Sequence, residues 1–205
     1  MSGPRYPAIP PEELTPAQRV FHDEMVEKIR NGWGATCTLR GKQGELLGPL
    51  SIMMYTPEYS THTMLLNTEV LNLPGLEPSV TEVAILATQG HFTGSFGGFL
   101  TYGRSRVAAK KGLLAKDQMQ KITIGVKPEG LGDKENVTFD LAMKLVKGGE
   151  PLEQALWERA NSILGRDQTL HVIQLVAFYS LLGITLNAGI IGTPEGESLW
   201  GFEEG

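Results

Sequence analysis

The stretch Thr15-Pro16-Ala17-Gln18 has the features of a helix N-terminus, and it is the clearest of several such starts along the chain. The threonine is placed to cap the helix and the proline suits the first helical position. The glutamine lies three residues after the cap, as in a capping box. Apolar residues then recur at helical spacing as far as Gly32. The pattern predicts a helix that begins at Pro16 and ends near Gly32.

The rest of the chain carries similar signals, which predict seven further helices. Their approximate positions are 57–73, 79 onward, 100–111, 115–124, 133–146, 151–164 and 167–189. Strand signals are scarce, since 36–39 and 122–126 are weak candidates without an obvious pairing partner. The sequence therefore predicts an all-α protein.

No repeat, low-complexity tract or linker divides the 205 residues. We therefore predict a single domain over 1–205, with a proline-rich N-terminal arm (1–14) and an acidic C-terminal tail (193–205). The tail is either a loose end or an arm that docks on the domain.

The composition excludes several classes of protein. With 41% hydrophobic and 20% charged residues, the chain is typical of a globular protein rather than a disordered one. A net charge of −5 without a basic run argues against a nucleic-acid partner. The N-terminus lacks the apolar core of a signal peptide, and the longest apolar stretch (172–184) is too short for a membrane span. We expect a cytoplasmic protein with no membrane partner.

The last predicted helix is apolar on almost every side. Such a helix is buried all round, and in a domain of this size that suggests contact with another subunit. A central core helix explains the same pattern, and the sequence does not separate the two.

Glu82 is the first candidate catalytic residue. It lies on a predicted helix with Gln89 seven residues later on nearly the same face. If burial raised its pKa, this carboxyl group could carry a proton. The alternative is structural, because Glu82 comes three residues after Ser79, and a capping box would explain it without catalysis.

The stretch 90–98 contains four glycines and begins with Gly90-His91. Glycines weaken a helix and permit close approach of the backbone, so the stretch is either a tight interhelical turn or a bend lining a cavity. It is neither a Walker loop nor a dinucleotide fingerprint. His91, beside this bend, is a candidate proton donor, although a structural or surface role is the commoner one.

Tyr102 and Arg104 follow at the start of the next predicted helix. An arginine among small residues could face a pocket and hold a carboxylate or a developing oxyanion. Tyr102 could donate a proton or a hydrogen bond. The alternative is a solvated arginine beside Arg106 and the neighbouring lysines.

No pattern indicates a metal or an organic cofactor. The four histidines lack metal-ligand spacing, and no serine lies in a nucleophile elbow. The single cysteine, Cys37, rules out an internal disulfide or a Cys-x-x-Cys pair, and it has no nearby base in the sequence. We expect no cofactor and a small-molecule substrate.

The order of several short motifs resembles the carboxymuconolactone decarboxylase family, within the alkylhydroperoxidase-D-like superfamily. The resemblance extends over about 6–194 and rests on the segments 9–18, 44–49, 55–59, 81–86, 108–113 and 175–187. It implies an all-α helical bundle that forms trimers or hexamers, with pockets near subunit interfaces.

The departures from the family pattern bear on function. Peroxidase members carry a glutamate followed by Cys-x-x-Cys; Glu82 matches the glutamate, but Gly94, Gly97 and Gly98 occupy the region of the thiols. A disulfide relay is therefore excluded. In decarboxylase-like members a histidine stands at the position of Arg104, and arginine cannot give up its proton in a working site.

The resemblance and the candidate residues together predict a cofactor-independent lyase or isomerase. Its substrate would be a small unsaturated carboxylated or phenolic molecule, transformed through an enolate-like intermediate by decarboxylation, rearrangement or cyclisation. Arg104 would stabilise the enolate oxygen, and Tyr102, His91 or protonated Glu82 would donate the proton. The alternative is a non-catalytic binding or assembly protein on the same oligomeric fold.

Overall fold

A computed structural model describes residues 3–93 and 98–202, and α-helices joined by short loops make up most of this part of the chain. The helices are α1 Pro16–Arg30, α2 Pro49–Met53, α3 Pro57–Leu71, α4 Pro78–Thr93, α5 Phe99–Lys110, α6 Lys116–Thr123, α7 Asp133–Lys147, α8 Gln154–Leu164 and α9 Arg166–Gly189. Across the described residues there is no strand, and only isolated bridges pair Arg40 with Leu46 and Gly98 with Gly192. The prediction of an all-α single domain is confirmed.

The local signals placed most helices within a few residues of their positions. The Thr15 hydroxyl accepts a hydrogen bond from the Gln18 N–H at 3.4 Å, and the Gln18 side chain accepts the Thr15 N–H at 3.0 Å, so the predicted capping box is present. The weak strand at 122–126 is wrong, because it overlaps the end of α6. Helix α2 was not predicted, since five residues are too few to show a periodicity.

Helix α4 lies at the centre of the domain and packs against α5, α6, α7 and α9. Its contact with α6 depends on Gly90, where an added Cβ would lie 1.9 Å from the backbone oxygen of Thr123. Gly90 therefore permits close helix packing inside α4 rather than forming a bend. Gly94 and Gly97 of the predicted bend lie outside the described residues.

Helix α9 is a core helix that keeps one exposed apolar face. Leu175 and Val176 are buried, whereas Leu170, Leu181 and Ile184 are exposed. Helix α9 has 24 residues and contains an 18-residue window with a mean hydropathy of 1.7, which is long and apolar enough to cross a membrane. The argument that the apolar stretch 172–184 is too short for a membrane span is therefore wrong. Half of this apolar 18-residue part of α9 is buried inside the protein. Packing of this kind is that of a core helix.

Both terminal segments dock on the helical core. The Arg5 N–H donates to the Gly189 oxygen at 2.9 Å, at the end of α9. On the C-terminal side, Arg106 donates to the backbone oxygens of Ser198 at 2.8 Å and Leu199 at 3.1 Å, and its guanidinium lies over the Tyr102 ring. As far as Phe202, the C-terminal tail is therefore a docked arm.

Candidate functional site

A cavity of about 280 Å³, which we call the inner cavity, lies between the loop 33–39, the end of α2 and helices α3, α5 and α9. Most of its wall is apolar, as in small-molecule sites. The polar side chains in the wall are those of Thr36, Cys37, Asn67, Arg104 and Tyr179.

Arg104 of α5 and Glu82 of α4 form a two-contact ion pair at the inner cavity. The Nε–H of Arg104 donates to Oε2 of Glu82 at 3.0 Å, and Nη2 donates to Oε1. The Arg104 side chain is 18% exposed and that of Glu82 only 3%. Arg104 lines the cavity, whereas Glu82 does not. Glu82 therefore contacts the cavity only through the guanidinium of Arg104.

The pair leaves hydrogen-bonding capacity on the arginine. Of its donors, Nε and Nη2 are bonded to Glu82, and nothing in residues 3–93 and 98–202 accepts a hydrogen bond from Nη1. Burial raises the pKa of the Glu82 carboxyl, and the adjacent Arg104 opposes that rise. The cavity wall thus contains a guanidinium whose position is fixed and whose charge is balanced by the Glu82 carboxylate.

The sequence left two alternatives open, a helix cap for Glu82 and a solvated side chain for Arg104, and the structure contradicts both. Ser79 lies inside α4 rather than capping it, and its hydroxyl donates to Glu135. The Glu82 carboxylate is bonded to Arg104 and not to the start of its own helix. Arg104 is correspondingly a partly buried partner of Glu82 and not a solvated side chain.

Tyr179 is a wall residue that the sequence reasoning did not single out. Its hydroxyl donates to Oδ1 of Asn67 at 3.4 Å, and Gln89 donates to the Tyr179 backbone oxygen at 2.6 Å. Burial raises its pKa to about 12, with Arg104 acting to lower it and Glu82 acting to raise it. The sequence feature that could have identified Tyr179 is the position of its phenol group within the longest apolar stretch of the chain, 172–184.

The raised pKa of Tyr179 predicts a loss of stability at high pH. The contribution is fully present below the ordinary value of 10.0 and disappears as the pH rises through about 12, because the unfolded phenol ionises first. The difference corresponds to about 3 kcal/mol. In denaturant titrations across this range, the wild type should lose more stability than Tyr179→Phe. Replacing the exposed Tyr59 by Phe should leave the wild-type slope, and equal slopes in all three proteins would contradict the prediction.

The other two predicted site residues lie away from the inner cavity. His91 is exposed and packs against the Phe92 ring at 5.0 Å. Tyr102 is buried, and its hydroxyl accepts the Thr38 N–H at 3.2 Å. Helix geometry explains both positions. Nine residues after Glu82 is the opposite side of α4, and Tyr102 is two residues from Arg104, on a different face of α5.

Tyr102 instead supports the loop that covers the inner cavity. Thr38 lies in this loop, donates its N–H to Tyr102 and donates its hydroxyl to Glu197 of the C-terminal tail at 3.0 Å. Its neighbour Cys37 faces the cavity, and burial raises the pKa of that thiol. The loop is thus bonded through Thr38 both to α5 and to the docked tail.

Removing the Thr38 hydroxyl should loosen this loop. Because Glu197 is partly exposed, its hydrogen bond is worth about 1 kcal/mol, so Thr38→Val should speed modification of the Cys37 thiol by about fivefold. The rate can be followed with a chromogenic disulfide reagent. The control Thr68→Val removes a hydroxyl bond on α3 away from the cavity and should leave the rate unchanged. An equal rate in both variants would show that the tail does not hold the loop.

Over the described ranges, no three His, Cys, Asp or Glu side chains are grouped to hold a metal ion. Comparisons with known proteins found no matching family model, no matching curated protein and no matching solved structure. The fold and the site define an all-α domain with a small apolar cavity and a buried guanidinium–carboxylate pair. Arg104, the cation of that pair, is the only charged side chain in the described wall of the inner cavity.

Proposed function

We propose that the protein is a cofactor-independent enzyme that transforms a small unsaturated carboxylated or phenolic molecule through an enolate-like intermediate. The family resemblance supplies the reaction class, decarboxylation or a related rearrangement or cyclisation. The observation that carries the proposal is Arg104, which lines the inner cavity with Nη1 free of acceptors among the described residues while Glu82 fixes its position.

Such an arrangement suits an oxygen on which negative charge develops. A substrate carbonyl beside Arg104 accepts a hydrogen bond from Nη1, and the bond strengthens as the carbonyl becomes an enolate. Glu82 acts as a positioning residue, because it holds the guanidinium before the reaction and no side chain has to reorganise.

In the decarboxylation version, the bond to the carboxylate carbon breaks and carbon dioxide leaves. The electron pair moves into the conjugated carbonyl, whose oxygen is bonded to Arg104. A proton must then reach the carbon skeleton. Tyr179 is placed to supply it from the cavity wall, and the resulting phenolate lies near Arg104 until water returns the proton. This role replaces those first assigned to His91 and Tyr102.

The alternative is a non-catalytic small-molecule-binding or assembly protein. Two observations favour it: Glu82 neutralises Arg104, and both His91 and Tyr102 lie away from the inner cavity. A binding protein would take up the same ligands without turnover. Tyr179 distinguishes the two, since a proton donor is needed only for catalysis.

The test is release of carbon dioxide from γ-carboxymuconolactone, with the matched double variant Glu82→Gln/Arg104→Met to avoid a buried unpaired charge. We expect release by the wild type, a loss of at least about 100-fold in the double variant, and a large loss in Tyr179→Phe. The surface variant Arg159→Met is the control. Release that is unchanged in the double variant would overturn the site assignment, and binding without release of carbon dioxide or any isomerised product would favour the alternative.

We further propose a cytoplasmic homo-oligomer, a trimer or hexamer as the resemblance implies. Support comes from the exposed face of α9, where Leu170, Ala177, Leu181 and Ile184 recur at spacings that keep them on one side of the helix. Ile184→Glu should shift the protein to a smaller species in light scattering after gel filtration. An unchanged mass in Ile184→Glu would remove this face from the assembly; Gln120→Glu, at an exposed position on α6, is the control and should leave the mass unchanged.

A further inference from the structure

A second cavity of about 270 Å³, which we call the outer groove, lies beside the inner cavity at the protein surface. Its walls come from the N-terminal arm, α2, the start of α3 and the end of α9. Three tyrosines are at its exposed edge, Tyr6, Tyr55 and Tyr59, with 41%, 40% and 59% of their surface exposed.

The outer groove and the inner cavity share part of their walls. Pro49, Met53 and Leu182 line both, so a single layer of side chains separates the two spaces. Met53 is 9% exposed and has an unbranched, adaptable side chain. A path between the two cavities past Met53 would therefore require a change of its rotamer.

The outer groove offers a ligand very little except apolar surface. None of its lining residues is Asp, Glu, Lys, Arg or His among those that the structure describes. Several of its hydroxyl groups are bonded within the protein: Ser60 donates to the Met53 oxygen at 2.9 Å, Thr63 to the Tyr59 oxygen at 3.1 Å and Thr185 to the Leu181 oxygen at 2.8 Å. The Tyr55 hydroxyl likewise donates to the Pro7 oxygen at 2.9 Å. Hydrocarbon gains most from such a surface.

We infer that the inner cavity and the outer groove form one elongated binding site for an enolisable carbonyl compound with an apolar tail. The carbonyl head lies beside Arg104, and an alkyl, alkenyl or aryl tail passes Met53 into the outer groove. The inference rests on the proposed function for the position of the head. It adds that the substrate is amphiphilic and longer than the inner cavity alone can hold.

The experiment measures calorimetric binding of pentane-2,4-dione, heptane-2,4-dione and nonane-2,4-dione, which share one enolisable head and differ only in tail length. Thr185→Trp fills the outer groove from an exposed position that does not line the inner cavity. Gln120→Trp places the same side chain at an exposed position on α6, outside both spaces and away from the exposed face of α9. Light scattering records the assembly state of each variant.

We expect affinity to rise about three- to fourfold per added methylene in the wild type and in Gln120→Trp. In Thr185→Trp this gain should disappear, while pentane-2,4-dione binds within about twofold of its wild-type affinity. A gain that persists in Thr185→Trp, or no gain in any protein, overturns the elongated site and leaves the proposed function standing.

Two further outcomes also count against the inference. If no dione binds, both the elongated site and the proposed function fail. If tail length has no effect and Thr185→Trp alone reduces the assembled mass, the outer groove belongs to a second copy of the chain.

Discussion

Arg104→Ala is expected to lower the free energy of unfolding by about 3–5 kcal/mol, because it leaves the Glu82 carboxylate buried without its partner. Part of the cost is relieved when Glu82 takes up a proton, so the loss should be smaller at acid pH than at neutral pH. Urea denaturation at the two pH values measures both effects.

Two comparisons make this result specific to the buried pair. Arg159→Ala removes an arginine that bonds to Asp140 at the surface, where its side chain is 51% exposed, and should cost less than about 1 kcal/mol. The double variant Glu82→Gln/Arg104→Met should recover much of the stability, since it leaves no unpaired charge. A cost for Arg104→Ala no larger than for Arg159→Ala would contradict the buried pair.

Gly90→Ala is expected to destabilise the domain by about 3 kcal/mol, the upper end of the usual cost of overpacking. The new Cβ would lie 1.9 Å from the backbone oxygen of Thr123, so α4 and α6 would have to move apart. The higher helix propensity of alanine, about 1 kcal/mol, offsets only part of this cost. Thermal and urea unfolding both report the change.

Gly103→Ala is the matched control, because Gly103 also lies inside a helix but has room for a methyl group. Its added Cβ would lie 3.6 Å from the Cys37 sulfur, an ordinary contact. This variant should be as stable as the wild type or more stable by up to about 1 kcal/mol. If Gly90→Ala behaved like Gly103→Ala, the close crossing of α4 and α6 would be contradicted.

The sequence was sufficient for most of the helices and for selecting Glu82 and Arg104 as candidate site residues, but it did not predict that the two form an ion pair. Caps and apolar spacing are local, so α1 and most later helices could be placed without knowledge of the fold. Glu82 stands in an apolar helix and Arg104 among small residues, and buried charges need partners, so these residue types were informative.

The remaining parts of the site depend on contacts that no local pattern reveals. Tyr179 and Asn67 meet across α9 and α3, 112 positions apart in the chain. His91 and Tyr102 were chosen because they are near the glycines and Arg104 in sequence, but the angle around each helix places them on other faces. Tyr102 proved to support the cavity loop through Thr38, a contact between segments 64 residues apart.

The most direct test of an enolate-stabilising Arg104 is the pKa of pentane-2,4-dione bound to the protein, followed by the ultraviolet absorbance of its enolate. In the wild type we predict that binding lowers this pKa by at least about one unit, which corresponds to roughly tenfold tighter binding of the enolate than of the neutral form. In Glu82→Gln/Arg104→Met it should return to the value in water or rise above it. A pKa that is unchanged or raised on binding to the wild type would contradict the proposed role of the site.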